Sequence, residues 1–70
     1  MPNKMVANAR QQALKTTIKG LRAYEELLRR HANQAHEAKE RNVANNLFTA
    51  ADCVEKALDM TRTVLQKIQS

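Results

Sequence analysis

The run Val43-Ala-Asn-Asn-Leu47-Phe-Thr-Ala50-Ala-Asp-Cys-Val54-Glu-Lys-Ala57-Leu-Asp-Met-Thr61-Arg-Thr-Val64-Leu-Gln-Lys-Ile68 decides the fold. Its apolar or small residues at Val43, Leu47, Ala50, Val54, Ala57, Thr61, Val64 and Ile68 step alternately by four and three, the heptad spacing of a helical seam. A second column at Ala44, Ala51, Leu58 and Leu65 widens the seam into a stripe broader than one partner helix covers. The stretch predicts a long amphipathic helix with more than one neighbour.

Working upstream, a second stripe starts near Lys4 and holds Ala7, Leu14, Ile18, Leu21 and Leu28, with Thr17, Tyr24 and His31 flanking it. Glu25 falls on this stripe between Leu21 and Leu28, so its carboxylate must reach past its neighbours or this end of the helix is solvated. Gly20 in mid-helix costs about 1 kcal/mol relative to Ala, and the close approach of a neighbouring helix is the structural reason expected for it. Pro2 and Asn3 read as the helix start, with Asn3 as cap and the first residues frayed.

The two stripes are out of phase. Leu14, Leu21 and Leu28 extrapolate to Ala35 and Asn42, whereas the second seam occupies Val43, one residue or about 100° away. A continuous helix would carry misaligned stripes, so a hairpin is expected, with a long rod as the alternative. The turn is read into His31-Ala-Asn-Gln-Ala-His-Glu-Ala38, Asn33 serving either as a left-handed C-terminal residue or as the next N-cap. The expectation is one all-α domain over residues 1–70: helix 1 over about 4–31, a turn over about 32–35 and helix 2 over about 36–69.

With one Gly, one Pro, one Phe, one Tyr and no Trp in 70 residues, strands are not expected. A single core of this size supplies roughly 3 to 5 kcal/mol before staples or partners are counted. One cysteine makes no internal disulfide and no metal-ligand cluster is evident, which leaves oligomerisation. The antiparallel hairpin is therefore expected to dimerise into a four-helix bundle through coiled-coil-like packing. Its self-association residues are expected to be Val43, Leu47, Ala50, Val54, Ala57, Leu58, Val64, Leu65 and Ile68 on helix 2, with Leu14, Ile18, Leu21 and Leu28 on helix 1. Phe48 and Met60 lie outside the main seam, and Phe48 is assigned to a core.

No constellation carries chemistry. Cys53, at the edge of the apolar stripe, reads as a small buried thiol with no base nearby to activate it. His31, His36, Glu37 and Glu40 flank the turn, but the residue three before His36 is Asn33, so the Glu-x-x-His spacing of bundle metal sites is missing. No catalytic residue, cofactor, metal or small-molecule substrate is expected, and the protein is read as a non-enzyme.

The formal net charge is +5, and all of the excess lies in residues 1–32, where seven Lys or Arg face Glu25 and Glu26. Lys15, Lys19, Arg22 and Arg29 line one outer side of helix 1 and are the candidate contacts to an anion or nucleic acid. Glu25 and Glu26 are spaced to pair with Arg29 and Arg30, and Asp52 with Lys56, Glu55 and Asp59 with Arg62. Tyr24 is the one aromatic side chain of helix 1, so base stacking has little to use. In size and expected architecture the chain resembles the Rop-like plasmid copy-number regulators, which makes an RNA-binding bundle the alternative function. No stretch approaches the ~20 apolar residues of a membrane span and Met1 to Arg10 lacks a signal-peptide core, so a cytoplasmic location is expected.

The run Gln12-Ala-Leu-Lys-Thr-Thr-Ile-Lys-Gly-Leu21, then Tyr24-Glu-Glu-Leu-Leu28 and Ala38-Lys39, resembles a short, uncharacterised helical family of endospore-forming bacteria. The resemblance covers residues 10–65 and implies a small non-enzymatic helical protein of spores or sporulating cells.

Overall fold

The structure, a computed structural model, describes the backbone of residues 2–69 and the side chains of residue 6 and residues 8–69. The first helix already begins at Pro2, so Asn3 lies within its first turn instead of capping it and residues 2 and 3 are not frayed; Met1 and the place of the Ala7 side chain in the stripe lie outside the described residues. Two helices, α1 (Pro2–Glu37) and α2 (Arg41–Gln69), pack against each other as an antiparallel hairpin measuring 58 × 15 × 12 Å over its Cα atoms. Among the described residues there is no strand, and no helix is long and apolar enough to cross a membrane.

The turn is not at residues 32–35. It lies at residues 38–40, and Asn33 sits exposed within α1. Ala35 explains the shift: it continues the Leu14, Leu21, Leu28 column and is buried, so the helix gains contact by running past Asn33. The break uses backbone geometry instead of a turn residue. Lys39 adopts φ 63°, the Lys39 N–H donates to the His36 carbonyl at 3.0 Å, and the Glu40 N–H donates to the Ala35 carbonyl at 2.9 Å. These are the two bonds of a Schellman ending, with lysine in the left-handed position that glycine usually fills. The Glu40 carbonyl then accepts from the Ala44 N–H at 2.9 Å and starts α2.

Burial shows which columns meet. On α1, Gln11, Leu14, Ile18, Leu21, Glu25, Leu28, Ala32 and Ala35 are buried or half-buried, in steps of three and four. On α2 the matching set is Ala44, Leu47, Ala51, Val54, Leu58, Thr61, Leu65 and Ile68. The column at Ala44, Ala51, Leu58 and Leu65 therefore faces α1. Of the four residues just before it, Val43, Ala57 and Val64 are exposed and Ala50 is half-buried. Burying Leu58 and Leu65 removes more apolar area from water than burying Ala57 and Val64, which favours this rotation.

Among the described residues the buried positions are Ala32, Ala35, Ala44, Ala51 and Leu58, so near the turn the helices meet through alanines, while the larger side chains toward the open end stay half-exposed. Two misfit residues on the seam are satisfied locally. The Thr61 hydroxyl donates to the Ala57 carbonyl at 2.7 Å, and Glu25 accepts from the Arg29 Nε at 3.0 Å. Gly20 is exposed, and a Cβ built on it meets nothing within 4 Å. The close approach expected there is not made by α2.

Candidate functional site

Antiparallel packing sorts the remaining surface into two flanks. In heptad terms, with the buried columns as a and d, the e positions of both helices fall on one side of the hairpin and the g positions on the other. The e flank is identified by an ion pair: the Arg29 guanidinium of α1 reaches Glu55 of α2 at 3.0 Å and Asp52 at 3.3 Å, besides Glu25 on its own helix at 2.9 Å. The hydrogen bond that Arg29 donates to Glu25 is the main cause that raises the Arg29 pKa above its ordinary value; desolvation opposes it and Asp52 adds to it. Arg29, Phe48 and Arg62, all at e, are half-buried and close this side.

The g flank is open and mixed, its apolar residues sharing it with Arg10, His31, Gln34, Asn46 and Lys67. On α1 its g and neighbouring c positions include Val6, Ala13, Thr17, Gly20, Tyr24 and Leu27. On α2 they include Val43, Ala50, Cys53, Ala57, Met60 and Val64. Every large hydrophobic side chain that stands exposed among the described residues (Val6, Tyr24, Leu27, Val43, Met60 and Val64) belongs to this flank, with Met60 71% and Tyr24 65% accessible. None of its g or c positions holds an Asp or Glu.

The residues read from sequence as one self-association set are thus divided. Leu14, Ile18, Leu21 and Leu28 of α1 and Leu47, Val54, Leu58, Leu65 and Ile68 of α2 belong to the seam inside the hairpin, while Val43, Ala57 and Val64, with part of Ala50, face outward. Cys53, expected to be buried, is exposed, because α1 covers the other side of α2. Phe48 is half-buried on the e flank. Sequence reasoning missed Tyr24, Leu27 and Met60 as members of one surface. A signal was present, since Ala13, Thr17, Gly20, Tyr24 and Leu27 themselves step by four and three beside the stronger leucine stripe.

The basic column is divided as well. Arg29 is engaged by three carboxylates, whereas no ion pair among the described residues involves Lys15, Lys19 or Arg22. These three line a groove of about 360 Å³ on the e flank together with Gln12, Thr16, Ile18 and Leu65. Asp59 pairs with Arg62 at 3.7 Å, while Asp52 and Glu55 are drawn across the hairpin to Arg29, away from the same-helix partners expected for them. At the turn, His36 and Glu37 line a shallow depression with Lys39 and Arg41, and the described residues hold no group of three or more His, Cys, Asp or Glu placed to share a metal ion.

No protein family, curated protein or solved structure matches the chain.

Proposed function

We propose that the protein is a non-enzymatic self-association module in which two hairpins join their g flanks to form a four-helix bundle. The observation that carries this reading is the gathering of the six large hydrophobic side chains exposed among the described residues on one carboxylate-free flank. Exposed apolar side chains gathered on one face point to an interface.

Magnitudes support the second copy as occupant. The chain exposes 5674 Å², whereas a compact monomer of its 8.0 kDa mass is expected to expose about 4,500 Å². Its radius of gyration is 16.2 Å against about 11 Å for a compact domain of this length. Two protomers that each hid the surplus would share an interface of about 2,400 Å², within the range of obligate homodimers. A hairpin laid flank to flank on its twin also gives α2 the second neighbour that the width of its stripe requires. Among the described residues four of the five buried ones are alanines, so the isolated hairpin buries few large side chains completely.

Sedimentation equilibrium tests the reading. The wild-type chain is expected to sediment as a dimer, and Ala57→Glu combined with Val64→Glu, both exposed in the protomer, is expected to give a monomer. A wild-type chain that stays monomeric at high micromolar concentration refutes the proposal.

A further inference from the structure

The e flank carries a separate feature that self-association does not use. We propose that the groove walled by Lys15, Lys19 and Arg22 binds the phosphodiester backbone of duplex nucleic acid.

Three observations lead there. First, these cations have no ion-pair partner among the described residues, although Arg29 in the same column is held by Glu25, Asp52 and Glu55 and Arg62 is held by Asp59. The hairpin neutralises the column near its turn and leaves the part toward its open end charged. Second, the three side chains border one groove of about 360 Å³, with Ile18 and Leu65 as apolar lining and Gln12 and Thr16 as additional hydrogen-bond donors. An anion lying there meets several donors at once.

Third, the spacing suits a phosphate chain. Lys15, Lys19 and Arg22 are spread over about 10 Å of helix axis, so with the length of their side chains each can reach a separate phosphate of one strand. Three cations thus meet about three phosphates. Recognition of single strands relies on aromatic side chains that stack on bases. The groove has none, and Tyr24 projects from the opposite flank, so the chemistry fits the outside of a duplex.

The site lies on the flank opposite the apolar one, so it does not depend on self-association, and the monomeric Ala57→Glu, Val64→Glu variant retains it. A dimer carries two copies.

The experiment is a titration of a short duplex DNA with the full chain over a series of salt concentrations, repeated with Lys15→Glu, Lys19→Glu and Arg22→Glu combined. A second set with Gln in place of Glu covers any loss of fold, which circular dichroism reports. The logarithm of the association constant is expected to fall linearly with the logarithm of salt, and the slope to lose about 2.7 in the triple variant, about 0.9 per phosphate contact removed. A charge-matched control, Arg30→Glu, Arg41→Glu and Lys56→Glu, is expected to retain that part of the slope. The proposal is overturned if the wild-type chain does not bind at low salt, if the control loses as much slope as the triple variant, if single-stranded DNA binds more tightly than the duplex, or if polyglutamate competes as well as DNA.

Discussion

Arg29 of α1 donates to Glu55 of α2 across the hairpin at 3.0 Å, linking residues 26 apart in the chain. The contact identifies the charged flank, and by antiparallel geometry it assigns the apolar residues to the other one. Because the Arg29 pKa is raised, its contribution to stability is complete below its unfolded value and is lost only as pH rises through the still higher folded value. At neutral pH, salt is the variable that probes the pairing.

The three carboxylates around Arg29 are expected to differ in weight. Glu25 is the least exposed, with a side chain 18% accessible against 52% for Glu55 and 67% for Asp52. Glu25→Gln is therefore expected to lower the thermal midpoint most and Asp52→Asn least, with the differences shrinking at high salt. Thermal unfolding at two ionic strengths checks the order.

Among the described residues Leu58 is the one large side chain in the buried set, at 4% accessibility. Leu58→Ala is expected to cost about 2 to 4 kcal/mol, more than Leu14→Ala at a half-buried position. Urea unfolding of the two variants at equal protein concentration measures the difference.

Lys39 holds a left-handed backbone conformation at φ 63° that closes α1. Lys39→Gly relieves the steric cost of its Cβ and is expected to stabilise the hairpin by about 0.5 to 1 kcal/mol, despite the greater freedom glycine gives the unfolded chain. Lys39→Val is expected to destabilise it. A shift in the urea midpoint without a change in slope is the expected signature.

Cys53 lies exposed on the apolar flank, between Ala50 and Ala57. If that flank is the dimer interface, labelling of Cys53 by a thiol reagent slows as protein concentration rises, and it stays fast at all concentrations in the Ala57→Glu, Val64→Glu variant. Labelling that is fast and independent of concentration in the wild-type chain counts against the interface.

The helices, their antiparallel pairing and their heptad columns were legible because each is a local periodicity, written in residues three and four apart. The turn was not, since the chain between His31 and Glu40 has no Gly or Pro and breaks through the backbone of Lys39. Asn33 offered a familiar signal, but burial of Ala32 and Ala35 outweighed it. In the basic column, the spacing of Arg29 from Glu25 was readable, whereas its separation from Lys15, Lys19 and Arg22 arose from carboxylates on the other helix.

By itself the sequence determined two amphipathic helices and a second helix with more apolar width than one neighbour can cover. Only the tertiary structure decided that α1 takes the column of Ala44, Ala51, Leu58 and Leu65, leaving Val43, Ala57 and Val64 exposed. The two columns differ by one residue, and both satisfy the heptad rule, so periodicity does not choose between them. The choice comes from cross-helix terms: the larger area buried by Leu58 and Leu65, the close approach allowed by paired alanines, and the reach of Arg29 to Asp52 and Glu55.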